Sequence, residues 1–249
     1  MSEDLRVSSS DGICEVRISR PKTKNSFLTT MYGELTGILD AADADDGVRV
    51  VLVHGEDGNF SSGNDLRDFV ENPPTSAQSA VFRFIQRLHS FSKPIIAAVD
   101  GFAVGIGTTM LLHCDLVYAT PRSKFLLPFM NLAVIPEAAS TLLLPRGAGL
   151  RLASEMLFFG DVFDVQTAST AGLVSQVIPA EDLLAHARKR AAQLAGQPVG
   201  VVRATKALLK RELNAAIAER IDMEAEAFCK TLREPAAQAA IEAFLTKKK

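Results

Sequence analysis

The chain has 249 residues, 47% apolar and 22% charged, with a formal net charge of −2. Those values suit one globular α/β domain, or one domain with a helical appendage. They argue against wholesale nucleic-acid binding, because no basic stripe interleaved with aromatics occurs.

The opening Met1–Arg6 segment is polar and acidic and lacks the cationic start and apolar core of a secretory signal, so a cytoplasmic location is expected. Residues 13–19 alternate, with Cys14, Val16 and Ile18 on one face, which predicts a half-buried strand. After Arg20-Pro21 and a Lys/Asn turn, Phe27, Met31, Leu35, Leu39 and Ala42 recur at helical spacing. A strand is expected at 50–53, and the loop Asn72–Ser76 separates one helix from another near 77–91. The most apolar stretch, 94–112, is broken by Asp100 and is rich in Gly and Thr. It reads as a buried strand, a turn and a helix near 105–112 rather than as a membrane span. A short strand near 115–119 follows. Strands alternating with helices imply parallel crossovers.

From about residue 181 the pattern is purely helical. One stripe carries Leu183, Leu184, Ala187, Ala191 and Leu194; others carry Val201/Leu208, Ile217/Ile221/Phe228 and Ile241/Phe244. These helices could cover their own domain, a neighbouring copy, or both. The chain therefore divides into 1–180 and 181–249. The terminal Lys247–Lys249 run reads as a solvated tail and is not a peroxisomal address. Three cysteines and four histidines lie too far apart in sequence for a metal motif or a disulfide framework, which fits a reducing compartment.

Two Gly-containing turns of small residues carry the strongest chemical signal. Phe60-Ser-Ser-Gly-Asn-Asp65 follows the strand at 50–53, and Ala103-Val-Gly-Ile-Gly107 follows the strand at 94–99. Two such turns at neighbouring strand ends can aim two backbone N–H groups at one point and stabilise a developing oxyanion. The third feature is Glu137, in Val134-Ile-Pro-Glu-Ala-Ala-Ser140. After Pro136 it reads either as a first-turn helix residue complementing the dipole or as a general base in an apolar pocket. Its sequence neighbours Phe125, Leu126, Leu127, Phe129, Met130, Leu132, Val134 and Ile135 supply such a pocket.

With those residues in view, the chain resembles the crotonase, or enoyl-CoA hydratase/isomerase, superfamily. The resemblance rests on Phe60–Asp65, Asp100-Gly-Phe-Ala-Val-Gly-Ile-Gly107 and Cys114-Asp-Leu-Val-Tyr-Ala119, with Arg20-Pro21, Asn25 and Ala171-Gly-Leu-Val174 as outlying landmarks. It implies an α/β fold with a crotonase-like ββα spiral core holding the active site over 1–180, and a C-terminal helical trimerisation region over 181–249. Hydratases of this family carry two glutamates, at positions matching Thr109 and Phe129 here, and neither of these is a carboxylate. Removing the Thr109 hydroxyl is accordingly expected to matter little. Pro128–Glu137 looks instead like the peroxisomal-type Δ3,Δ2-enoyl-CoA isomerases, with Leu127 and Ala138-Ala139 as departures from that branch.

The resemblance implies that Glu137 is the single acid/base and that the backbone N–H groups of Asn64 and Ile106 form the oxyanion hole. It places Ser62, Gly63, Asp65 and Leu66 around the pantetheine and thioester, and Lys22 and Lys24 at the CoA entrance. Asp65 has a structural alternative as a cap of the next helix. Phe129 and Met130, with Phe69 and Phe82, either line an acyl pocket or pack in the core. The expected partner is an acyl-CoA thioester, with neither nucleic acid nor membrane. Coenzyme A enters as part of the substrate, and the chemistry calls for no metal or further cofactor. A homotrimer or dimer of trimers is implied, and fatty-acid β-oxidation is the expected setting. Competing readings are hydration or another crotonase reaction, and a non-catalytic acyl-CoA-binding module.

Overall fold

A computed structural model describes residues 2–247, so Met1, Lys248 and Lys249, and with them most of the terminal lysine run, lie outside the described residues. The chain opens with a hairpin of which the sequence pattern announces only one strand: β1 (Leu5–Ser10) pairs antiparallel with β2 (Ile13–Ile18). The serine-rich β1 is mostly exposed, so it carries no hydrophobic alternation to betray it. In β2, by contrast, Cys14, Val16 and Ile18 face inward as expected.

Helix α1 (Thr29–Ala44) follows, and its start is tied down by α2 (Leu66–Glu71), whose Asp68 accepts from Thr29 N at 2.6 Å. Between them runs β3 (Val50–Gly55), and after α2 come α3 (Ala80–Ser90) and β4 (Ile95–Val99). Then follow β5 (Phe102–Val104), the short α4 (Ile106–Thr109), β6 (Leu116–Ala119) and β7 (Lys124–Leu126). Further on lie α5 (Ser140–Ala148), α6 (Leu150–Phe159), β8 (Phe163–Asp164), α7 (Val165–Thr170) and β9 (Gln176–Val177). Four helices close the chain: α8 (Leu183–Ala195), α9 (Val199–Lys210), α10 (Asn214–Leu232) and α11 (Pro235–Lys247).

The main sheet has the order β1-β2-β3-β4-β6-β9, parallel from β2 onward, and a second small sheet has the order β5-β7-β8. Central strands β3 and β4 are buried on both faces, which is why they read as continuous Val, Ile, Leu and Ala. One face packs on α8, joining Val50, Leu52, Ile96 and Ala98 to Leu183, Ala187 and Ala191. On the other face, Val51, Val53, Ile95 and Ala97 belong to the larger core, which also takes in α1, α3, α5 and α10.

The C-terminal stripes are resolved unequally. Ile217, Ile221, Phe228 and Ile241 are buried in their own domain, whereas Val201, Leu208 and Phe244 are exposed. The strands β5, β7, β8 and β9 are two or three residues long, too short for any periodicity to register.

Candidate active site

The first turn leaves β3 and the second leaves β4, and the two lie against each other. Ser61 N donates to Phe102 O at 2.9 Å and Val104 N donates to Ser61 O at 2.9 Å. At two contacts only glycine fits. A Cβ on Gly63, whose φ is +82°, would stand 2.6 Å from Val104 O, and one on Gly107 would stand 2.8 Å from Ser61 O. Asn64 follows the first of these glycines and Ile106 precedes the second. Among the described residues, neither the Asn64 N–H nor the Ile106 N–H donates a hydrogen bond to the protein. Ile106 opens α4, where the leading N–H groups have no intrahelical acceptor. Two uncommitted amides on touching turns are what oxyanion stabilisation requires.

The first turn is pinned from several sides. Phe27 N donates to Gly63 O at 2.8 Å, and Asp65 N donates to Phe27 O at 2.9 Å. The Tyr32 hydroxyl of α1, fully buried, donates to Asn64 Oδ1. Arg20 donates to Ser26 O at 2.7 Å and to Asp65 Oδ2 at 3.3 Å. Asp65 is the N-cap of α2, accepting from Arg67 N at 3.3 Å, so the capping role weighed for it from the sequence is the one its contacts display.

Glu137 sits in an irregular stretch after a 3-10 turn over Met130–Leu132. It is not in the first turn of a helix, contrary to the structural alternative read from Pro136. Ala138 and Ala139 take left-handed φ values of 62° and 54° before α5 begins at Ser140. The carboxyl is 5% exposed. Its Oε1 accepts a hydrogen bond from the Thr109 hydroxyl at the end of α4, and its Oε2 has no partner among the described residues. The pKa is pushed up to about 8. Desolvation is the main cause, opposed by the Thr109 hydroxyl and reinforced by the charge of Glu224.

The remaining residues singled out from the sequence are distributed more loosely. Ser62 Oγ donates to Thr23 O at 2.8 Å, and Ser62 N donates to Lys24 O at 2.9 Å, so the first turn is stitched to the segment bearing the two lysines. Lys22 and Lys24 are exposed, and the Lys24 ammonium lies 5.1 Å from the centre of the Phe102 ring. Leu66 begins α2. Phe129 is buried, while Met130 is 39% exposed. Phe82 is a core residue in edge contact with Phe228. Phe69 lines a cavity of about 310 Å³ with Tyr32, Pro73, Pro74, Ala80 and Val81.

Sequence reasoning missed four side chains that shape this site. Thr109 reads in the sequence as an empty carboxylate position, yet its hydroxyl is the hydrogen-bond partner of Glu137. That contact gives the hydroxyl a partner the sequence did not announce, and the expectation that its removal matters little becomes a question for the Thr109→Ala variant. Tyr32 lies unremarked inside a helical stripe. His113, fully buried, faces Ala138 O from 2.8 Å through Nε2, and burial holds its pKa down at about 3, so it donates as a neutral imidazole. Glu224, on α10, is 4% exposed and lies far along the chain from Glu137. The one available signal was a lone acidic residue beside Ile221, Ala225 and Phe228 on the inward face.

Against known proteins, the enoyl-CoA hydratase/isomerase family model matches residues 8–249. Enoyl-CoA delta isomerase 2 of Homo sapiens is 37% identical over 216 residues, 84% of this chain and 55% of that protein, so the chain spans about half the relative's length. The 2,3-dehydroadipyl-CoA hydratase of Escherichia coli K12 is 31% identical over 249 residues, covering 100% of this chain and 97% of the relative. Among solved structures, Pseudomonas aeruginosa OdaA is 40% identical with a TM-score of 0.95, covering 98% of this chain and 99% of that one.

Proposed function

Because the chain belongs to the enoyl-CoA hydratase/isomerase family, we propose that it is an enoyl-CoA isomerase moving the double bond of a 3-enoyl-CoA into conjugation as the 2-trans-enoyl-CoA. Its fold is the crotonase fold with a helical C-terminal region. The observation that carries the reading is the state of Glu137: a buried carboxylate with one oxygen held by Thr109, the other unpartnered, and a pKa raised to about 8.

A proton α to a thioester is too weakly acidic for a carboxylate alone. The Asn64 and Ile106 N–H groups would take the thioester oxygen as negative charge develops, which lowers that barrier. Glu137 would remove the proton from C2, leaving the pair delocalised over the thioester and C3=C4, and return it to C4. The C2–H bond breaks, a C4–H bond forms, and the double bond shifts to C2=C3. Nothing else is consumed. The raised pKa makes the ionised Glu137 a stronger base, and it makes the protonated form a competent donor for the second step. Water addition would need a second acid in the pocket, and positions 109 and 129 offer Thr and Phe.

Lys22 and Lys24 lie beside the first turn and would meet the CoA phosphates as exposed cations. Ser62, Gly63, Asp65 and Leu66 would shape the turn around the thioester, and Phe129 and Met130 would flank the acyl chain. We place the protein in the cytoplasm, in β-oxidation, as a homotrimer or dimer of trimers. Exposed Leu150, Phe158, Phe159, Val201 and Leu208 are the apolar surface a neighbouring copy would cover. Among the described residues no helix is long and apolar enough to cross a membrane.

The test offers purified protein a 3-enoyl-CoA and a 2-enoyl-CoA and follows thioester absorbance and product mass. Isomerisation conjugates the first without changing its mass. A gain of one water would establish the hydratase reading, and binding without turnover would establish the non-catalytic one.

A further inference from the structure

Glu224 is a buried carboxylate with no role in the reaction described above. Its Oε1 accepts from Thr141 N at 3.0 Å and from Thr141 Oγ1 at 2.5 Å, and the Ala139 N–H faces the same group. It therefore grips the start of α5, just past Glu137. On the other side of that turn, His113 Nε2–H holds Ala138 O. Arg220 is one turn back on α10 and donates to Thr141 Oγ1 at 2.9 Å. The second oxygen of Glu224, like that of Glu137, is buried and has no partner among the described residues.

We propose that Glu224 is a positioning residue for the base: it holds the left-handed Ala138-Ala139 turn that presents Glu137, and it sets the base's proton affinity through its charge. The proposal rests on Glu137 being the base. Several groups face Glu137 or its turn. They are Tyr32 from α1, Thr109 from α4, His113 through the Ala138 carbonyl, Arg220 through Thr141, and Glu224 itself. Of these, Glu224 carries the negative charge that disfavours ionisation of Glu137. Its own pKa is also raised, to about 7, by burial first and against the hydrogen bonds from Thr141. Two buried carboxylates that repel each other do not titrate independently.

The test compares pH profiles of kcat/KM for the wild type, Glu224→Gln and Glu224→Asp. Glutamine keeps an acceptor for Thr141 and removes the charge. The acid limb is expected to move down by ~0.5–1 pH unit with KM little changed. Aspartate, which keeps the charge, should leave the limb near the wild-type position. A purely structural role predicts an unmoved limb in both variants, and that result overturns the proposal.

A second measurement depends neither on activity nor on a variant that folds. Carboxyl ¹³C titration of the wild-type protein should show the Glu137 signal responding to the ionisation of Glu224 as well as to its own. Two independent single-step curves would refute the coupling. If Glu137→Gln retained full turnover, the base assignment would fail while this titration still reported on the pair.

Discussion

The two walls of the site are built by different means. The wall formed by the turns after β3 and β4 is backbone work. Its donors are main-chain amides, its contacts are between main-chain segments, and two glycines set the spacing. The wall carrying Glu137 is side-chain work: Thr109 and His113 arrive from the helical run after the second turn and Glu224 from α10, and they converge on one stretch of chain. A backbone wall asks nothing of the Ile106 side chain for donation, although the Asn64 side chain is held by Tyr32, and it tolerates nothing but glycine at the contacts. A side-chain wall responds to charge and hydroxyls and is open to tuning.

The largest effect that separates the two walls is expected at Glu137. Glu137→Gln should reduce isomerisation by ~10²–10⁴-fold while leaving acyl-CoA affinity within a small factor, measured by steady-state kinetics and calorimetry. Near-wild-type turnover in the folded variant would remove the side-chain wall from the chemistry. The same variant also carries a stability signature. The folded pKa of Glu137 is raised from an ordinary 4.5 to about 8, so the folded state binds the extra proton. That contribution is fully present below pH ~4.5 and is lost as pH rises through about 8. Glu137→Gln should therefore melt higher than wild type at pH 8 to 9, with the gap closing toward pH 5. A gap that widened on acidification would contradict the shift.

Next in size is Gly63→Ala, which tests the backbone wall. The new Cβ meets Val104 O at 2.6 Å in a backbone of positive φ, so the two turns must move apart. A loss in kcat of ~10²–10³-fold is expected, comparable with removing one oxyanion donor, alongside a stability loss of ~1–3 kcal/mol. Substitutions of the Ile106 side chain by Val or Leu should leave kcat within a few-fold, since the donor is unchanged. A large loss there would mean the side chain takes part.

Thr109→Ala comes third. Its hydroxyl lowers the Glu137 pKa, so its removal should push the acid limb of kcat/KM up by about one unit, opposite in sign to Glu224→Gln. An unchanged profile would return Thr109 to the spectator role expected from its place in the family pattern.

The smallest effect belongs to Ala138→Gly. Ala138 holds φ 62° without a glycine, and relief of that strain should stabilise the protein by about 0.5–1 kcal/mol in denaturant melts. A loss of stability would place the demand on the buried methyl group instead.

The same contrast explains which parts of the fold and the site are legible in the amino-acid sequence. Backbone walls leave local signals: small residues and glycines directly after an apolar strand, within a dozen positions. Both turns, β2 to β4, α1 and α3 were legible on that ground, and the family resemblance joined them into a fold. The six-residue β1 was not, because Ser8, Ser9 and Ser10 on an exposed edge carry no alternation. Glu137 itself stood out in its apolar stretch, but the partners that complete a side-chain wall leave no local signal. The Thr109–Glu137 contact spans 28 positions and the Thr141–Glu224 contact spans 83, and no spacing rule reaches across such intervals. The fate of the C-terminal stripes was undecidable for a related reason: periodicity marks an apolar face without saying what covers it, so Phe228 and Val201 look alike in sequence. In the folded chain one is 6% exposed and the other 63%.

The most direct measurement of the one-base mechanism is the fate of the C2 proton. A 3-enoyl-CoA carrying deuterium at C2 would be converted in ordinary water, in a single turnover with enzyme in excess, and the product examined by mass and NMR. Deuterium appearing at C4, with the product mass free of added water, is the predicted result. A conjugated product with no deuterium at C4, or a product one water heavier, would contradict transfer by Glu137 alone.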